Sequence, residues 1–101
     1  MEDKVYKIFT ETEWNQFQET GRFRGSADDL RDGFIHLCTE KQIPGVIERF
    51  FSGRPCVYVA EFSDVEFIRQ LKWEASAANE IYPHLYGHDL CSKDISSFKK
   101  L

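Results

Sequence analysis

Phe34-Ile35-His36-Leu37-Cys38 is a nearly unbroken apolar run with an imidazole at its centre. A run of this kind is the pattern of a β-strand covered on both faces, and the Asp32-Gly33 pair before it supplies a turn. Alternation along a strand places Phe34, His36 and Cys38 on one face, opposite Ile35 and Leu37. Burying an imidazole without a partner costs on the order of a few kcal/mol, so either a hydrogen-bonding group or solvent must reach His36. Two readings stay open for it, a satisfied core histidine and a site residue.

Working outward toward the N-terminus, Val5 to Phe9 is β-rich, and Thr10-Glu11-Thr12-Glu13 is a capping pattern that starts a helix with Trp14 and Phe17 on one face. Gly21 ends that helix, and the polar stretch Gly25 to Asp29 reads as a loop or single turn. Toward the C-terminus, Thr39 caps a first turn, and a main helix is predicted from Pro44 to Gly53 with Ile43, Ile47, Phe50 and Phe51 as its buried stripe. Cys56 to Phe62 is a second buried strand, Val65 to Arg69 a helical turn, and Leu71 to Glu74 a short strand. Ile81 to Gly87 and a weak strand near Ile95 to Phe98 complete the chain. Strands outnumber the two main helices, so the expectation is α+β, with mostly antiparallel sheet and helices packed on a face.

With 101 residues, of which 42% are hydrophobic and 30% charged, the chain suits one domain with a single core spanning 1–101. A formal net charge of -4 argues against holding duplex nucleic acid by phosphate attraction, which needs a dense positive face. Arg22, Arg24 and Arg31 are either solvated loop charges or the basic residues of a local phosphate pocket. No stretch approaches the roughly 20 apolar residues of a membrane span, and Met1-Glu2-Asp3-Lys4 is not a secretory start, so a cytoplasmic location is expected. Cys38, Cys56 and Cys91 are odd in number and widely spaced, poor material for a disulfide framework. The oligomeric state is not legible.

A second group of unusual residues lies downstream. Pro83-His84-Leu85-Tyr86-Gly87 puts His84 and Tyr86 on one face if extended, and Glu74 falls opposite Leu71 and Trp73. Glu74 is either a solvent-facing charge or a carboxylate aimed into a cleft, and His84 with Tyr86 is either an aromatic strand end or part of a site. Two imidazoles, a phenol and a carboxylate in one small domain suit proton transfer near neutral pH. A metal site from His84, His88 and Cys91 would need a helix that Pro83 and Gly87 oppose, so no metal is expected.

The blocks Asp32 to Gln42, Trp73-Glu74 and Pro83 to Gly87, with Tyr6-Lys7-Ile8, Glu13-Trp14 and Gly25 to Asp29, resemble the signature of domain-of-unknown-function family 952. The resemblance implies a small split β-sheet core similar to the ADP-ribosyltransferases, with a cleft for NAD or ADP-ribose. His36-Leu37-Cys38-Thr39 is similar to the histidine of that superfamily and the Ser or Thr that follows it. On this likeness His36 holds a ribose, Ser26 and Thr39 join it in cofactor binding, and Tyr86 stacks on a flat ring. Glu74 and His84 are then the catalytic candidates, the first stabilising an oxocarbenium-like ribose and the second contacting phosphate or moving a proton. The alternative is a non-catalytic fold relic that binds a protein partner or another small metabolite.

Overall fold

The computed structural model describes residues 3–76 and 79–101. Val5–Thr10 forms β1, and Thr10 ends it by capping α1, Glu11–Thr20. Its hydroxyl accepts from the Glu13 N–H at 3.2 Å while the Glu13 carboxylate accepts from the Thr10 N–H at 2.9 Å. This reciprocal pair satisfies two donors that a helix start leaves free. Gly21 stops the helix in a left-handed conformation, at φ 77°, and its N–H donates to the Phe17 carbonyl.

Arg22–Phe23 (β2) and Ala27–Asp32 (α2) follow, then Ile35–His36 (β3), a 3₁₀ turn at Glu40–Gln42 and α3 at Ile43–Phe50. The second half holds Val57–Phe62 (β4), Val65–Arg69 (α4), Lys72–Ala75 (β5), Ile81–Leu85 (β6), Leu90–Cys91 (β7) and Ile95–Lys100 (β8). The class is α+β with antiparallel pairing throughout the described strands. One sheet has the order β1-β4-β8 and another β3-β6-β5, while β2 and β7 form a small pair.

The first sheet is apolar on both sides. Val5 and Phe9 join Trp14 and Phe17 of α1 in one cluster, whereas Tyr6 and Ile8 pack with Ile43, Val46 and Ile47 of α3 in another. Helices therefore cover both faces of this sheet rather than one. Lys7, between Val5 and Phe9, is buried among apolar neighbours.

Segment 35–38 joins the two larger sheets. Ile35 and His36 pair with Leu85 and His84 of β6. One residue later the Leu37 N–H donates to the Pro83 carbonyl, and Cys38 then exchanges two hydrogen bonds with Tyr6 of β1, at 2.8 and 2.9 Å. The expected five-residue strand is thus two paired residues plus a bridge, because the chain changes sheets at Leu37. The expected alternation holds, with Ile35 and Leu37 in the core and His36 half-buried.

Three local expectations change. Gly25 to Asp29, expected as a loop or a single turn, carries a second capping box of Ser26 and Asp29 that opens the six-residue α2. That helix is short and lacks a long apolar stripe, and it adds to the two main helices and to α4, the helical turn expected at Val65 to Arg69, for four among the described residues. Phe50 is not buried, being 64% exposed. It is the last residue of α3 and extends past the cluster that Ile43, Val46 and Ile47 fill. No helix among the described residues is long and apolar enough to cross a membrane.

Candidate functional site

Asp29 is the residue around which the site is built. As the third residue of α2 it accepts the Ser26 N–H with Oδ2 at 2.9 Å, and the same oxygen meets the Lys7 ammonium at 2.9 Å. Its Oδ1 accepts from the His36 backbone N–H at 3.1 Å and from the ring Nδ1 at 2.6 Å. Lys7 also donates to the His36 carbonyl at 3.0 Å. Four donors therefore converge on one carboxylate that is 1% exposed. Burial alone would raise its pKa, but the His36 bond, the Lys7 charge and the Ser26 N–H outweigh that and hold the carboxyl well below the usual range.

Gly25 makes this approach possible. At φ 136° it occupies backbone space that L side chains rarely adopt, and an added Cβ would sit 2.8 Å from the Asp29 Cβ.

The imidazole of His36 is 37% exposed and is gripped from both ends. Opposite the Asp29 contact, Nε2 lies 3.1 Å from Oδ2 of Asp32. Arg31 reaches Oδ1 of Asp32 at 3.1 Å and Oδ1 of Asp28 at 3.0 Å. The Arg31 hydrogen bond is the main reason the Asp32 carboxyl is held below its ordinary pKa.

A cavity of about 420 Å³ opens over this arrangement, within the range of small-molecule sites. Lys7, Asp29 and His36 border it on one side, flanked by Asp32, while Val46, Phe50 and Phe51 give an apolar wall. Arg49 and Tyr82 also line it, and the Arg49 guanidinium donates to the Tyr82 hydroxyl.

The second group gathers beside it. Oε1 of Glu74 accepts from Nδ1 of His84 and from the Tyr86 hydroxyl, each at 2.7 Å. The antiparallel register that pairs β5 with β6 brings Glu74 to these side chains, and His84 pairs across the sheet with His36. The His36 and His84 rings are 5.5 Å apart, and Phe34 stacks on His84 at 4.0 Å and meets Tyr86 at 5.0 Å. Lys72 lies 4.8 Å over the Tyr86 ring.

The structure thus brings His36, Glu74, His84 and Tyr86 together around Phe34, but of these four only His36 lines the cavity. Ser26 lines it too, with its hydroxyl accepting from the Asp29 N–H. Thr39 does not; its N–H donates to Gln42 at the start of the 3₁₀ turn. Arg31 borders the cavity, whereas Arg22 and Arg24 do not. Sequence reasoning missed Lys7, Asp29 and Asp32. The available signals were a lysine inside the apolar run Val5 to Phe9 and the Ser26-x-x-Asp29 capping spacing.

The family described as "Protein of unknown function (DUF952)" matches residues 8–98. The chain belongs to this family. The DUF952 span contains Asp29, Asp32, His36, Glu74, His84 and Tyr86, and Lys7 stands one residue before it. A crystal structure of protein CC0527 from Caulobacter crescentus is 35% identical, with a TM-score of 0.87 over 97% of this chain and 85% of that one. The solution NMR structure of CC0527 is 32% identical, with a TM-score of 0.80 over 97% of this chain and 84% of that one. A search of the curated proteins finds no match.

Proposed function

We propose that this DUF952 domain binds a nucleotide-type small molecule, of the NAD or ADP-ribose class, in the cavity beside His36. One observation carries the reading: a half-exposed imidazole faces a cavity of about 420 Å³ while a buried, four-bonded carboxylate fixes its orientation. The contacts to Asp29 at Nδ1 and to Asp32 at Nε2 fix the ring where it borders the cavity. The exposed ring of Phe50 and the nearby Tyr82 suit a flat heterocycle, and Arg49 suits a phosphate. The resemblance to the ADP-ribosyltransferases supports the same ligand class and assigns the ribose to His36.

Binding without ADP-ribosyl transfer is the reading we favour, on the position of Glu74. Its Oε1 is committed to His84 and Tyr86, and it does not line the cavity. A carboxylate that stabilises a positive ribose has to face it. The proposal includes a cytoplasmic setting, which the unpaired Cys38, Cys56 and Cys91 favour.

The test is a thermal-shift series with NAD, ADP-ribose, nicotinamide and ribose 5-phosphate. A ligand at about a hundred times its Kd adds about 2.7 kcal/mol of stability, which in a domain of this size raises Tm by about 10 °C or more. No shift with any of them at millimolar concentration would overturn the reading in favour of a protein partner or another metabolite.

A further inference from the structure

We infer that Arg49 and Tyr82 form a phosphate subsite on the α3 side of the cavity, and that the acidic α2 side takes the unphosphorylated end of the ligand. The inference rests on the binding reading above and fixes which way round its ligand lies.

Among the described residues, Lys7, Arg31 and Arg49 are the lysines and arginines that border the cavity. The first two are already committed. Lys7 donates to Asp29 and to the His36 carbonyl, and its side chain is 7% exposed. Arg31 is shared between Asp28 and Asp32. Arg49 meets no carboxylate among the described residues: its Nε donates to the Gly45 carbonyl at 3.4 Å, Nη2 donates to the Tyr82 hydroxyl, and the guanidinium lies 5.7 Å from the centre of the Phe50 ring. A carbonyl and a phenol leave its charge uncompensated, and its other N–H groups form the fork that matches two oxygens of a phosphate.

Tyr82 is the positioning residue. It stands on β6, 33 positions from Arg49 on α3, so this one bond fixes the guanidinium between two elements that wall the cavity. The Tyr82 hydroxyl in turn donates to Oε1 of Glu80 at 3.3 Å. That carboxylate is exposed and does not line the cavity, so water screens it from a bound anion.

The opposite side repels the same group. Asp28, Asp29 and Asp32 border the cavity there, and a phosphate would bring acceptors and negative charge to carboxylates that are themselves acceptors. His36 does not relieve this, because both ring nitrogens face carboxylates, Asp29 at 2.6 Å and Asp32 at 3.1 Å, and whatever protons the ring carries are shared with them. Hydroxyl or amine donors at the far end of the ligand suit this wall.

The experiment titrates adenosine and adenosine 5′-monophosphate against the full chain, with NAD as a reference ligand, and follows the backbone amide resonances. The monophosphate should bind at least about tenfold more tightly than adenosine. Resonances that only the phosphorylated ligand moves should lie at 45–50 and at Tyr82, not at 28–32. Arg49→Gln should bring the two affinities to within about threefold of each other, Arg49→Lys should restore part of the difference, and Tyr82→Phe should narrow it. Arg49 is exposed and Tyr82 partly so, and an unaltered melting temperature checks that each variant folds. Equal binding of the two ligands by the parent chain, or a preference that survives Arg49→Gln or is unchanged in Tyr82→Phe, overturns the subsite and leaves the cavity reading standing. Phosphate-dependent shifts centred on 28–32, or binding of NAD alone, do the same. Silence from all three ligands, in both resonance and melting temperature, overturns the binding reading and the subsite with it.

Discussion

The ammonium of Lys7 lies 2.9 Å from Oδ2 of Asp29, with the two side chains 7% and 1% exposed. They are 22 positions apart in the chain, on β1 and α2. Both charges have left water, so each depends on the other and on the hydrogen bonds around them.

Removing one partner should therefore be costly. Asp29→Ala strands the Lys7 ammonium and loses the half of the α2 capping box that the carboxylate supplies to the Ser26 N–H, for a destabilisation of about 3–5 kcal/mol. Denaturant unfolding at neutral pH, with Tm lowered by more than about 10 °C, is the expected result. A loss under about 1 kcal/mol would show that water reaches the pair.

The same carboxyl should mark the acid limb of stability. Its pKa in the folded chain lies below the value of about 3.9 expected when unfolded. Asp29 therefore contributes stability that is fully present above about pH 4 and is lost as pH falls toward the folded value. Asp29→Asn should show a shallower fall of unfolding free energy below about pH 4 than the parent chain.

His36→Ala should be milder than Asp29→Ala. The His36 backbone N–H still donates to Oδ1 of Asp29 after the ring is gone, so the oxygen is not orphaned. A cost of about 1–2 kcal/mol is expected, together with at least tenfold weaker ligand binding. A loss as large as that of Asp29→Ala, with ligand affinity unchanged, would make the ring a structural element and nothing more.

Tyr86 offers a local reading of the Glu74 group. Its phenol pKa is raised, first by the hydrogen bond to Glu74, then by burial and by the carboxylate charge. Glu74→Gln removes the charge and should bring the titration back toward about 10. The phenolate absorbance that disappears in Tyr86→Phe identifies the transition.

Cys38 should resist alkylation. Burial pushes its thiol pKa up to about 12, with Lys7 opposing only in part, so little nucleophilic thiolate forms at neutral pH. Mass spectrometry after brief iodoacetamide treatment should find Cys56 and Cys91, both half-buried, modified ahead of Cys38. Full modification of Cys38 in the native protein would contradict its burial.

What could be read from the sequence was whatever depends on neighbours along the chain. Ile35, His36 and Leu37 alternate as expected because a strand fixes alternate faces. His84 and Tyr86 meet one carboxylate, that of Glu74, because two-residue spacing puts them on one side. Asp29 escaped because a pair of aspartates beside Gly25 and Ser26 looks like solvated turn material. Its burial depends on Lys7 arriving from another strand, which no local pattern reports. Phe50 was misplaced for a related reason: a helix end is a local feature, but what lies next to it is set by the tertiary packing.

The bridge between Tyr6 and Cys38 gives the domain an internal clock. The two amides bond only to each other's residue, across the line where one sheet hands over to the other. Their protons can exchange with deuterium only when that line opens, whereas the amides of β4 are held within a sheet. The ratio of the two exchange rates compares how populated the parted sheets are with how populated the unfolded chain is. Because Lys7 of β1 donates to the His36 carbonyl, two residues before Cys38, each such parting also pulls on the site.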